Sequence, residues 1–158
     1  MRAGDEANGK RPIPTGIWRL DATRSKLLAA KTMTLWIIKN TDAELAWVAV
    51  ESDAHNDARV ISWRGAYNGP SAKCNGTDIE ARLTGAASEG IRTEGTFPGV
   101  GTFTEMCTLS DNGRMICSGQ VATPNGMLEY LENFEWICAS PHPLQFPSDS
   151  TDKPAGSQ

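Results

Sequence analysis

The stretch MLEYLENFEW, residues 127–136, sets one carboxylate among apolar side chains at every second position: Leu128, Tyr130, Glu132, Phe134 and Trp136. An extended chain turns alternate side chains to the same face, so this spacing puts Glu132 in the middle of an aromatic surface that is expected to turn inward. Glu51 in ELAWVAVESD and Glu105 in GTFTEMCTL interrupt apolar faces in the same manner. A carboxyl group in such surroundings has its charged form disfavoured, which lifts its pKa toward the range useful to a general acid or base. Two inward carboxylates in a dry cavity suit proton shuttling, as in isomerisation, dehydration or cyclisation, and that chemistry needs no cofactor. Glu132 and then Glu51 are the candidate catalytic groups, because their same-face neighbours are the bulkiest. The plainer alternative for each is a solvated strand-end residue, or a structural partner for Arg59 or Arg64.

Aromatic residues surround these positions. Trp47, Trp63, Tyr67, Phe103, Tyr130, Phe134 and Trp136 are the candidate ligand-binding rings, with Trp36 beside them; five tryptophans in 158 residues are more than a packed core requires. Arg59 is the candidate polar contact for a ligand at the mouth, set against a simpler cross-strand ion pair with Asp53. His55 falls in a turn, and His142 in SPHPLQF could reach over an open end. Four cysteines (Cys74, Cys107, Cys117 and Cys138) show no CxxC, and two histidines are too few for a zinc site, so no metal is expected. They fit two disulfides or four buried thiols equally well. There is no Ser-His-Asp order and no phosphate-binding glycine loop leading into a helix.

The elements that must position these groups have a period of two. Eight short runs rich in β-branched and aromatic residues (32–39, 45–53, 59–67, 79–84, 91–96, 102–109, 114–122 and 127–138) alternate with turn signals such as YNGPS, SDNGR and TPNGM. That pattern predicts an antiparallel meander, barrel or sandwich. Only DATRSKLLAAK, residues 21–31, reads as a helix, with Asp21 or Thr23 as its cap. A hairpin turning at Asn112 pairs Cys107 with Cys117, Leu109 with Met115, Glu105 with Gly119 and Phe103 with Val121. Directly opposed cysteines then either bond across the hairpin or sit as two small hydrophobes. A second hairpin near Asn56 is expected to pair Trp47 with Gly65, Ala49 with Trp63, Glu51 with Ile61 and Asp53 with Arg59.

A chain of 158 residues with 39% hydrophobic and 22% charged content is expected to form one domain with a real core. No run approaches the ~18 apolar residues of a membrane-spanning helix. A net charge of −4 without a basic cluster argues against nucleic acid. Residues 1–15 and the Pro/Ser-rich residues 140–158 read as tails around a folded part at 16–139. The first residues carry no signal-peptide h-region, which leaves a cytoplasmic location, or a periplasmic or secreted one if a leader has been removed. A homodimer stays open.

At GIWRLDATRSKL, Gly16, Trp18, Leu20, Asp21, Arg24, Ser25 and Lys26 resemble the opening of a group of bacterial lipocalin-like proteins. AYNGPSAKCNG (66–76) resembles that group's Tyr-Asp-Gly hairpin, with Asn68 in place of Asp. LSDNGRMICSGQVATPNG (109–126) resembles its Ser-x-Asp-Gly hairpin. The resemblance implies an eight-stranded up-and-down barrel with Trp18 across the closed end, enclosing a small apolar ligand; it carries no catalytic signature. The expected fold is therefore an all-β lipocalin-like barrel with one short N-terminal helix. The expected function is a cofactor-independent isomerase, lyase or cyclase acting on a small apolar or aromatic molecule, or else a non-catalytic binding or transport protein of the same shape.

Overall fold

The computed structural model describes residues 10–29 and 31–139. Ten antiparallel strands form one sheet: β1 (Gly16–Leu20), β2 (Lys31–Asn40), β3 (Glu44–Asp53), β4 (Ala58–Ala66), β5 (Ala72–Lys73), β6 (Glu80–Thr84), β7 (Ile91–Phe97), β8 (Gly101–Leu109), β9 (Met115–Thr123) and β10 (Gly126–Cys138). Their order is β4-β3-β2-β1-β10-β9-β8-β7-β6-β5. The two edges of the sheet approach each other through isolated bridges, Ser62 to Asn75 and Tyr67 to Leu83, so the up-and-down barrel is nearly closed. The eight expected runs all form strands, and two strands join them. One is β1, whose Gly16, Trp18 and Leu20 are buried while Arg19 is exposed. The other is the two-residue β5.

The expected helix does not form, and there is no α-helix among the described residues. Within 21–31, only Ala22–Arg24 makes a single 3-10 turn. Local side chains compete with helix hydrogen bonding there. Asp21 Oδ1 accepts from both the backbone N–H and the hydroxyl of Thr23, and Ser25 Oγ donates to the Asp21 carbonyl at 2.8 Å. The backbone of Lys26 then exchanges two hydrogen bonds with Leu131, which commits the chain to an extended path beside β10. Arg114 locks this segment down, donating to Asp21 Oδ2 at 2.8 Å and to Asn133 Oδ1 at 2.6 Å. Ala30 lies outside the described residues.

One end of the barrel is plugged. Arg11 donates to the Ser110 carbonyl at 2.7 Å, and Asn40 Nδ2 donates to the Ile13 carbonyl at 3.0 Å. Asn40 ends β2 and Ser110 follows β8, four strands around the wall, so residues 10–15 cross the barrel end. Ile13 and Trp18 are fully buried beneath this crossing, and Trp18 Nε1 donates to the Pro14 carbonyl at 3.3 Å. The six residues before β1, read from sequence as part of a tail, are thus packed. Residues 1–9 and 140–158, including His142, lie outside the described residues.

The β8–β9 hairpin has the expected register in all four pairs, and Cys107 and Cys117 form a disulfide between directly opposed, buried positions. The β3–β4 hairpin is offset by two residues from expectation. Trp47 pairs with Trp63, Ala49 with Ile61 and Glu51 with Arg59. The turn is tighter than expected because Asp53 Oδ1 accepts from the backbone of His55 (2.8 Å) and Asp57 (2.9 Å), with Asn56 in the left-handed region at φ 65°. A slip of two preserves the facing of every side chain. It replaces the expected Asp53–Arg59 pair by Glu51–Arg59 and leaves the inward set unchanged.

Candidate functional site

Between the plugged end and the turns at the other end lies a cavity of about 340 Å³, at the small end of the range for ligand pockets. Its floor is apolar. Trp36 sits there with its ring centroid 5.5 Å from Trp47 and 5.1 Å from Phe134, and Leu45 and Ile61 fill the gaps between rings. Toward the mouth, Phe97 and Phe103 stack at 4.4 Å. Leu27, Leu28 and Ala29, the segment expected to be helical, line the same cavity where the chain crosses to β2.

Polar groups occupy two opposite walls. On the first, pairing across β7, β8, β9 and β10 builds two adjacent inward rows: Thr93–Glu105–Gly119–Tyr130 and Ile91–Cys107–Cys117–Glu132. Gly119 has no side chain, so the Tyr130 ring lies over it, in the space a Cβ would need. The Tyr130 hydroxyl thereby donates to Glu105 Oε1 at 2.6 Å. Burial, and then the Glu105 charge with that hydrogen bond, hold the Tyr130 phenol protonated far above the usual tyrosine range. Glu132 is partly buried and lines the cavity two residues along β10 from Tyr130. Its charge also raises the Tyr130 pKa.

On the second wall the row is Thr34–Glu51–Arg59. Arg59 approaches Glu51 Oε1 at 3.2 Å through both Nε and Nη2, with its own side chain more than half exposed at the mouth. Thr34 is 3% exposed. Cys74, a free buried thiol between these walls, has its pKa raised by desolvation.

Of the ten residues expected at a site, eight line this cavity: Glu132, Glu51, Trp47, Trp63, Phe103, Tyr130, Phe134 and Arg59. Tyr67 and Trp136 do not. Tyr67 follows β4 at the plugged end, where its hydroxyl donates to Asn40 Oδ1 at 2.6 Å and burial raises its pKa. Trp136 is 40% exposed; its ring packs edge-on against Trp18 at 5.0 Å and over Gly16. Leu128, expected on the inward face, is 47% exposed. The inward face of β10 therefore runs from Tyr130 to Phe134, and both ends of this 13-residue strand extend beyond the enclosed core.

Sequence reasoning had no reason to single out Thr34, whose neighbours in KTMTLWIIKN give only a strand. It also ranked Glu105 behind the other carboxylates. The opposed Glu105–Gly119 pair was the available signal, since a glycine beside an inward carboxylate leaves room for a third group. One set of three potential metal-ligating side chains occurs among the described residues, Glu105, Cys107 and Cys117, with ligand atoms within 4.8 Å of one another. The two sulfurs are bonded to each other, which removes both thiolates as ligands. No protein-family model, curated protein sequence or solved structure matches this chain.

Proposed function

We propose that the barrel is a cofactor-independent enzyme that takes a small apolar or aromatic molecule into its cavity and moves a proton with Glu132. The observation that carries this reading is a carboxylate on a mostly apolar cavity wall beside a hydrogen-bonded acid pair, Tyr130–Glu105. As a carboxylate, Glu132 would take a proton from an acidic C–H of the substrate, the electron pair staying on the substrate. Returning that proton to another carbon completes an isomerisation and restores Glu132. Tyr130 stays protonated throughout, its one hydroxyl proton donated to Glu105. Glu51, held by Arg59 near the mouth, is placed to orient a polar end of the substrate.

A non-catalytic carrier of small hydrophobic molecules is the second reading. It is favoured by the pairing of Glu105 with Tyr130 and of Glu51 with Arg59, and by the resemblance to lipocalin-like proteins.

Solvent exchange separates the two. Candidate aromatic and terpenoid-like C–H acids are incubated with the protein in D2O, and deuterium uptake is read by mass spectrometry. The enzyme reading expects uptake by the native protein, and its loss in Glu132→Gln with ligand affinity held within about tenfold. Binding without deuterium uptake would select the carrier.

A further inference from the structure

Two hydrogen-bond donors on cavity-lining residues donate to no partner among the described residues: Thr34 Oγ1 and Trp36 Nε1. They stand two apart on β2, hence on one face of the strand. Thr34 is 3% exposed, and the indole nitrogen of Trp36 is equally shielded. A buried donor without an acceptor is unfavourable, and natural interiors rarely retain one. The neighbours could have removed the difficulty. Valine has the shape of threonine without the hydroxyl, and phenylalanine keeps an aromatic ring without the N–H. Retaining both donors at adjacent inward positions points to an acceptor that arrives with the ligand.

The charge of the walls narrows that acceptor. Among the described residues, Glu51, Glu105 and Glu132 line the cavity with one cation, Arg59, which is already paired with Glu51. An anionic ligand would bring a fourth negative charge into a low-dielectric space, where like charges repel strongly. The rest of the lining, from Trp36 and Trp47 to Phe103 and Phe134, rewards apolar and aromatic surface.

We infer that the ligand is a neutral oxygenated molecule, a ketone or ester on an apolar or aromatic skeleton, whose oxygen accepts from Thr34 Oγ1 and Trp36 Nε1. This rests on the cavity reading above and adds the class of substrate to it. It also fits the proposed chemistry, since a carbonyl acidifies the neighbouring C–H and a donor on its oxygen stabilises the enolate formed when that proton leaves.

Equilibrium dialysis against three matched probes tests it: acetophenone, its hydrocarbon twin α-methylstyrene, and benzoate. The native protein is expected to bind acetophenone at least about tenfold more tightly than α-methylstyrene, because a site built to donate discriminates against a ligand that cannot accept. Benzoate is expected to bind more weakly than acetophenone. Thr34→Val should reduce the ketone preference several-fold, read as the ratio of acetophenone to α-methylstyrene affinity, and Trp36→Phe should lower the same ratio while its smaller ring weakens the binding of both probes. Thr34→Ser, which keeps a hydroxyl, should retain the preference and provides a folded comparison if Thr34→Val does not express. Equal binding of ketone and hydrocarbon by the native protein would overturn the inference while the cavity reading stands, as would loss of both affinities together in Thr34→Val. No binding of any probe would remove the accessible cavity itself, and the inference with it.

Discussion

Tyr130 and Glu105 are not on neighbouring strands, yet the phenol hydroxyl and the carboxylate meet at 2.6 Å, with Gly119 on β9 between them. Three strands thus supply an acid, a gap and a phenol in one lateral row. The contact depends as much on the absent side chain as on the two present.

The phenol of Tyr130 is held protonated by burial and by the adjacent carboxylate, and burial also raises the pKa of Tyr67. These are the chain's only two tyrosines. At pH 10.5 the folded protein should show less tyrosinate absorbance near 295 nm than the same chain unfolded in guanidinium, Tyr130 contributing none of it. Both folded pKa values lie above the unfolded value of about 10. The associated stability is therefore complete below pH 10 and lost as pH rises beyond it. Tyr130→Phe should flatten that alkaline decline. Full tyrosinate absorbance from folded protein at pH 10.5 would contradict the buried pair.

Gly119→Ala places a methyl group within the Tyr130 ring. Overpacking of this kind costs about 1–3 kcal/mol. The displaced ring should lose Glu105, so the variant's remaining tyrosinate should appear at lower pH than in the native protein. Urea unfolding combined with absorbance titration reads both effects. An unshifted titration would mean that the ring does not rest on Gly119.

Reduction of Cys107–Cys117 should lower stability without unfolding the barrel. The bridge joins residues 10 apart in sequence, and disulfides closing short loops contribute about 2–4 kcal/mol. Peptide mapping under non-reducing conditions should find this pair, with Cys74 and Cys138 alkylated as free thiols after unfolding. A bridge from Cys107 to Cys74 would refute the β8–β9 register.

Arg59→Met should lower stability by about 1–3 kcal/mol, because Glu51, only 17% exposed, loses a charged partner. It should also alter binding, through the polar end of the cavity that Glu51 and Arg59 share. Unaltered binding would assign the pair to the scaffold.

Much of this arrangement was legible in the chain. Alternation alone placed Glu132, Tyr130 and Phe134 on one face, and Asn-Gly turns fixed the β8–β9 register through the Cys107–Cys117 pair. What escaped was decided by contacts distant in sequence. The helix read at 21–31 lost to Arg114, Asn133 and Leu131, which lie more than 80 residues away. Trp136 looked inward because alternation says nothing about where a strand leaves the core. Thr34 was silent because an unmatched donor becomes visible only once its surroundings are known.

The first and last strands among the described residues, β1 and β10, pair in the interior of the sheet, while its edges, β4 and β5, are consecutive in sequence. Each half, β1–β4 and β5–β10, is a meander of local hairpins, whereas the β1–β10 ladder joins residues more than a hundred positions apart. Loop closure over that distance is entropically costly and slows folding. A circular permutant that begins at β5 and ends at β4, with a short linker in place of residues 140–158 and 1–9, would bring the two strands of this ladder close together in sequence. It would leave as its long-range contact only the sparse bridges from Ser62 to Asn75 and Tyr67 to Leu83. The expectation is faster refolding from denaturant with the same cavity, the barrel's slow step having been carried by the order in which its strands are written rather than by their packing.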